Sequence, residues 1–131
     1  ATKNCPSIGS ENTIFRKEYV GEGLIIVEGE KNAETGQALG LNCVSVIAPL
    51  RNKRGYIDSF RGFKNKIKGV IVIEDNDETG KKKAKEAQQA FTELNIPAKI
   101  VNLATIYDRN VKGWDLSDAV EEKLFALEDI L

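Results

Sequence analysis

The sequence predicts an α/β domain in which a four-stranded parallel sheet is covered by helices on both faces. Three observations carry that expectation. Short apolar runs alternate with helix-patterned segments in the order β-α-β-α-β-α-β-α. The apolar runs are near-continuous rather than alternating, as strands buried on both faces require. Two of the runs lead directly into carboxylates, and open parallel sheets bind ligands beyond the carboxyl ends of their strands.

Each element has its own local reason. Residues 1–23 are polar and read as a lead-in segment or the edge of a preceding domain, with the domain proper spanning 24–131. LIIVE (24–28) is the first strand, and helix formers over 32–40 close on Gly40. CVSVIA (43–48) is β-rich and ends at Pro49. Residues 51–68 are basic, with Tyr56, Ile57, Phe60, Phe63 and Ile67 at helix-like spacing. VIVIE (70–74) carries the strongest strand pattern. From Glu78 to Leu94 a helix places Ala84, Ala87, Phe91 and Leu94 on one stripe, and Asn95 and Pro97 end it. AKIVNL (98–103) is the fourth strand and 104–114 a loop. Residues 116–131 close the chain as an amphipathic helix with Leu116, Val120, Leu124 and Leu127 on one face.

Composition narrows the chemistry. At 131 residues with 41% hydrophobic content the chain is one domain's length and buries a core without staples. Nineteen Lys and Arg against twenty Asp and Glu leave a charge of −1, so no global charge advertises a nucleic-acid or membrane partner. There is no histidine, which excludes Ser-His-Asp and Cys-His catalysis, HExxH zinc sites and any histidine base. Cys5 and Cys43 are too far apart in sequence for a zinc knuckle and read as ordinary thiols of a cytoplasmic protein. No run approaches the ~18 apolar residues of a membrane span, and no signal-peptide pattern opens the chain. The lack of methionine fits either a removed start residue or a segment excised from a longer protein.

The acids fall in two places. The first strand ends in Glu28-Gly29-Glu30 and the third in Glu74-Asp75-Asn76-Asp77-Glu78-Thr79-Gly80. With the first and third strands as neighbours, the sheet order is 2-1-3-4 and Glu28, Asp75 and Asp77 converge. Crowded carboxylates repel, and a hard divalent cation such as Mg²⁺ relieves them while sharing its shell with substrate phosphates. Gly29 and Gly80 leave room beside the backbone for a phosphate or a metal-bound water. The plainer alternative is that strand-end acids are helix N-caps, Asp77 above all. Residues 75–86 also fit an EF-hand pattern, but a strand precedes them and Lys81, Lys82, Lys83 and Lys85 repel calcium. Asp75-x-Asp77-x-Thr79 mimics the nucleophile motif of haloacid-dehalogenase phosphatases, which carry it on their first strand.

IIVEGEKNA (25–33) followed by VIVIEDNDETGKKKA (70–84) resembles the Toprim domain, the metal-binding fold shared by bacterial-type primases, topoisomerases and related nucleases. Glu28, Asp75, Asp77 and Gly80 match its pattern of a glutamate after the first strand, then D-x-D, then glycine. KGWDLSDAV (112–120) is similar to a segment that follows this fold in primases of phages, plasmids and integrated elements. The resemblance covers about residues 24–120. Two departures stand out: Asn32 where many relatives carry an acid, and Glu74 as an extra acid. The zinc module, amino-terminal lobe and helicase engine of full primases have no counterpart here, so the chain resembles a domain cut from such a protein or a small stand-alone relative.

The resemblance implies a three-layer Toprim, Rossmann-like fold and Mg²⁺-dependent nucleotidyl transfer that makes RNA primers on a DNA template from nucleoside triphosphates. Mn²⁺ would substitute, and the missing domains of a longer primase-helicase chain would be needed for activity. Glu28, Asp75 and Asp77 become the catalytic and metal-binding residues, with Asp115 a further metal candidate and Asp118 beside it; both also read as helix N-caps. Lys31, Arg51, Lys53, Arg54, Lys81 and Lys82 are candidates for a nucleotide phosphate or nucleic-acid backbone, against the plain alternative of solvated faces. Two further readings stay open: a Toprim-type nuclease cleaving phosphodiesters, and a non-catalytic nucleic-acid-binding module.

Overall fold

The computed structural model describes residues 13–131. Its strands are β1 (Ile14–Phe15), β2 (Gly23–Ile26), β3 (Cys43–Val46), β4 (Gly69–Ile73) and β5 (Ala98–Val101). Its helices are α1 (Glu30–Ala38), α2 (Lys53–Phe60), α3 (Glu78–Glu93), α4 (Leu103–Ile106) and α5 (Leu116–Glu121). The sheet order is β1-β3-β2-β4-β5. Strands β3, β2, β4 and β5 are parallel, with Ile26 opposite both Val44 and Val72.

The expected four-stranded parallel sheet is therefore a five-stranded mixed one. The four expected strands keep the order 2-1-3-4, and β1 adds an antiparallel edge, Ile14 opposite Val46. A two-residue strand is too short to show a period, which is why residues 13–23 read only as a polar lead-in. They nonetheless supply Ile14 and Val20 to the core. The first twelve residues of that segment, Cys5 among them, lie outside the described residues.

Side chains along each central strand alternate between two cores, as period-two geometry demands. Leu24, Ile26, Val44, Val70 and Val72 pack with Tyr56, Phe60, Ala87 and Phe91 of α2 and α3. Ile25, Val27, Cys43 and Ile73 pack with Ala33, Leu103, Leu116 and Ala119 of α1, α4 and α5. Phe60 and Phe91 meet at 5.1 Å between ring centroids and anchor the first layer. Burial pushes the Cys43 thiol up to about 12, which makes it a packing residue and not a nucleophile.

Helix ends explain two further differences. The closing helix stops at Glu121 instead of running to 131. Lys123 takes a left-handed conformation (φ 62°), and the Leu124 N–H donates back to the Ala119 carbonyl at 2.9 Å. That stop is ordinarily made by glycine, so a lysine there gave no warning. The chain then returns through a 3-10 turn at Leu127–Asp129 and buries Ile130. The fourth strand stops at Val101 rather than 103, and Leu103–Ile106, running into the expected loop, forms a single helical turn capped by the Asn102 side chain accepting from the Thr105 N–H at 3.1 Å. Among the described residues no helix is long and apolar enough to cross a membrane.

Candidate functional site

Adjacent, parallel β2 and β4 release their chains at the same edge of the sheet, and this brings the two acidic segments together. Asp75 is half-buried there, and its carboxyl is pushed up to about 7. Burial is the main cause, followed by the charge of Glu28 and a hydrogen bond with it, then the charges of Asp115 and Asp77. Glu28, Asp75, Asp77 and Asp115 thus share one electrostatic neighbourhood. The strands end at Ile26 and Ile73, so Glu28, Asp75 and Asp77 sit on the connections beyond them.

Local geometry aims each acid. The Asp77 N–H donates to the Asp75 carbonyl at 2.8 Å, a tight turn that presents both residues of the D-x-D. Asp77 caps α3, its Oδ1 accepting from the Gly80 N–H at 2.6 Å. A Cβ on Gly80 would stand 2.6 Å from the Asp75 carbonyl oxygen. The room expected beside Gly80 is thus filled by the Asp75 backbone, and the glycine serves helix approach; beside Gly29 the space is open. Glu74 accepts from Asn102 Nδ2 at 2.8 Å and supports the cap of α4.

The segment 111–118 closes the site from the other side. The Gly113 N–H donates to the Asn76 carbonyl at 2.8 Å, and Asn76 Nδ2 donates to the Val111 carbonyl at 2.7 Å, so this loop grips the D-x-D turn. Asp115 and Asp118 form a reciprocal capping box at the start of α5. The buried Asn32 locks that cap to α1. Its Nδ2 donates to Asp115 Oδ2 at 3.2 Å, and its Oδ1 accepts from the Ser117 N–H at 3.0 Å and from Ser117 Oγ at 2.6 Å. An amide can donate to Asp115 where an ionised acid could only repel it.

The cations are less gathered than the acids. Lys83, on α3, places Nζ 3.3 Å from Glu28 Oε2. Lys31, Lys81 and Lys82 are exposed. Arg51 donates to the Val46 carbonyl at 2.8 Å and lies near the buried Tyr56, whose hydroxyl also feels Glu28. Lys53 pairs with Glu93 at the far end of α3, and Arg54 with Asp58. Lys64, Lys66 and Lys68 precede β4 and so lie at the end of that strand opposite Asp75.

Among the described residues no three acidic or thiol side chains form a ready-made metal cage. The hydrogen bonds say why: Glu28 leans to Lys83, while Asp77 and Asp115 are engaged as caps. The donor set is nonetheless all oxygen, and each capping carboxylate keeps lone pairs to spare. That fits Mg²⁺, which needs only one or two carboxylates and fills its shell with water and phosphate. A larger groove of about 650 Å³ opens at the amino-terminal ends of β2, β4 and β5. It is lined by Leu24, Val70, Pro97 and Leu131 and holds no acidic side chain, so it lies away from this chemistry.

No protein family's sequence model matches the chain, and no curated protein does. Among solved structures, the chain is similar to the primase fragment of the bacteriophage T7 primase-helicase protein, with a TM-score of 0.58 and 17% identity. The chain shares the fold of that fragment. The match covers 87% of this chain and 45% of that fragment, so the chain spans less than half of the neighbour's length. Within this fold, the sequence pattern did not single out Lys83, Ser117, Asn76 or Gly113 as site residues. Only Lys83 left a signal: it follows Gly80 by three residues and precedes Ala84 by one, at the margin of the buried stripe of α3.

Proposed function

We propose that this chain is a Toprim-type catalytic domain of a DNA primase or primase-helicase, joining ribonucleotides on a DNA template at Mg²⁺. The observation that carries this reading is the convergence of Glu28, Asp75, Asp77 and Asp115 beyond β2 and β4 in a primase-like fold. Glu28 and Asp75 would hold the metal, with Asp77 and Asp115 contributing their free carboxylate oxygens directly or through water. The bound metal would offset phosphate charge and favour ionisation of the attacking 3′-hydroxyl.

This chain's own residues have definable tasks around it. Asp75, its carboxyl pushed up to about 7 by burial and by the charge of Glu28, carries less than its full charge near neutrality, and a bound cation would favour its anion. The caps on α3 and α5 hold Asp77 and Asp115 in fixed rotamers, so little side-chain ordering remains when a ligand binds. Arg51, on the wall shared with Tyr56, is the best-placed member of the basic segment to meet a phosphate. The nearby domains of a longer chain would supply template binding.

The test is ribonucleotide joining on single-stranded DNA by a protein carrying this domain, with Glu28→Gln and Asp75→Asn as variants. Mg²⁺-dependent products that fall by roughly 100-fold or more in both variants support the reading. Undiminished synthesis in the variants would sink it, and metal-dependent nicking of plasmid DNA without synthesis would favour the nuclease.

A further inference from the structure

Lys83 is the residue whose placement the proposed chemistry does not by itself require. Its ammonium lies 3.3 Å from Glu28 Oε2, with side-chain exposures of 30% for the lysine and 23% for the glutamate. This is a half-buried ion pair inside the crevice that also contains Asp75, Tyr56 and Gly80. The neighbouring Lys81, Lys82 and Lys85 are exposed. The contact is not an accident of a floppy surface chain. Gly80 presses α3 against the Asp75 turn, with no space for even a methyl group, and so fixes the helix face from which Lys83 projects.

Such a pair sets up a competition. An ammonium on Glu28 neutralises one carboxylate and repels a divalent cation approaching the same oxygens. A lysine stem is flexible and its three donors are indifferent to direction, so the ammonium can leave Glu28 and still find a partner a few ångströms away. A phosphate bound to the incoming metal is such a partner. We propose that Lys83 is a resident counter-ion of this site: it holds Glu28 until a divalent cation displaces it, and then pairs with the phosphate oxygens of the nucleotide that accompanies the metal. The inference rests on the reading of the acidic cluster as a metal centre and adds to it a specific coupling: metal alone is disfavoured, and metal together with a triphosphate is favoured.

The experiment compares the wild-type chain with Lys83→Met, which keeps the stem and drops the charge, and with Lys83→Arg, which keeps the charge. Binding is followed by backbone amide shifts at residues 28–30 and 75–80, first with Mg²⁺ alone and then with Mg-ATP. Unchanged amide dispersion elsewhere reports that each variant is folded. Lys83→Met is expected to bind Mg²⁺ roughly three- to tenfold more tightly than wild type, and Mg-ATP more weakly by a similar factor. Lys83→Arg keeps the wild-type order. A lysine that only holds the fold together would not change the two affinities in opposite directions. Equal Mg²⁺ affinity in wild type and Lys83→Met, or a weaker one in the variant, would overturn the counter-ion role and leave the metal centre standing. Site-localised shifts in none of the three proteins would overturn the metal centre and the Lys83 role together.

Discussion

Asp75 is protonated over a pH range in which most aspartates are already anions. Its folded-state carboxyl titrates at about 7 against an ordinary 3.8, because burial and the Glu28, Asp115 and Asp77 charges all disfavour the anion. Between those values the folded state holds a proton that the unfolded chain has released. Stability must therefore fall as pH rises through this window and level off above it. Asp75→Asn removes the titration, so the thermal midpoint of wild type, measured relative to the variant, should decline from pH 4 to pH 7. A difference that stays flat across that range would show that Asp75 is not crowded. The acids were legible in the sequence because they terminate apolar runs, and such runs are strands. Lys83 left only the mark of its place beside Ala84, because four lysines crowd positions 81–85 and the close packing at Gly80 decides which of them turns inward. Asn32 read as a departure from a pattern; its role as the clasp between α1 and Asp115 needed the 83-residue separation to be closed by the fold.

At the scale of elements, the site depends on how closely α3 approaches the end of β4. Gly80 makes that approach possible, since an added Cβ would meet the Asp75 carbonyl oxygen at 2.6 Å and its Cβ at 2.7 Å. Both neighbours lie at the backbone and cannot swing away. Gly80→Ala should cost about 1–3 kcal/mol of stability, read by urea denaturation, even though alanine is the better helix former. A neutral or stabilising effect would mean that the helix floats free of the turn. The central helices were legible because their stops use residues suited to left-handed geometry, Gly40 (φ 82°) after α1 and Asn95 (φ 62°) after α3. The last helix was overread because Lys123 makes the same stop without that signature, and its apolar positions continue at helical spacing past the break. The strand β1 was missed for the opposite reason: two residues carry no period, and the antiparallel edge exists only because β3 offers it.

For the molecule as a whole, the alternation of elements dictates a sheet with two covered faces, and the adjacency of β2 and β4 does the rest. Two acidic segments some forty-five residues apart in sequence become neighbours because their strands pair in register. The opposite end of the sheet carries an apolar groove and the lysines 64, 66 and 68, so the acidic cluster is confined to the carboxyl ends of the strands. The most direct measurement is a Mg²⁺ and Mn²⁺ titration followed by backbone amide shifts, on the wild-type chain and on an Asp75→Ala, Asp77→Ala double variant. A metal centre at these acids predicts saturable shifts, with Mn²⁺ broadening, confined to residues 28–30, 75–80 and the start of α5, and lost in the double variant. Shifts that are absent at millimolar metal, or that persist unchanged without the two aspartates, would contradict it.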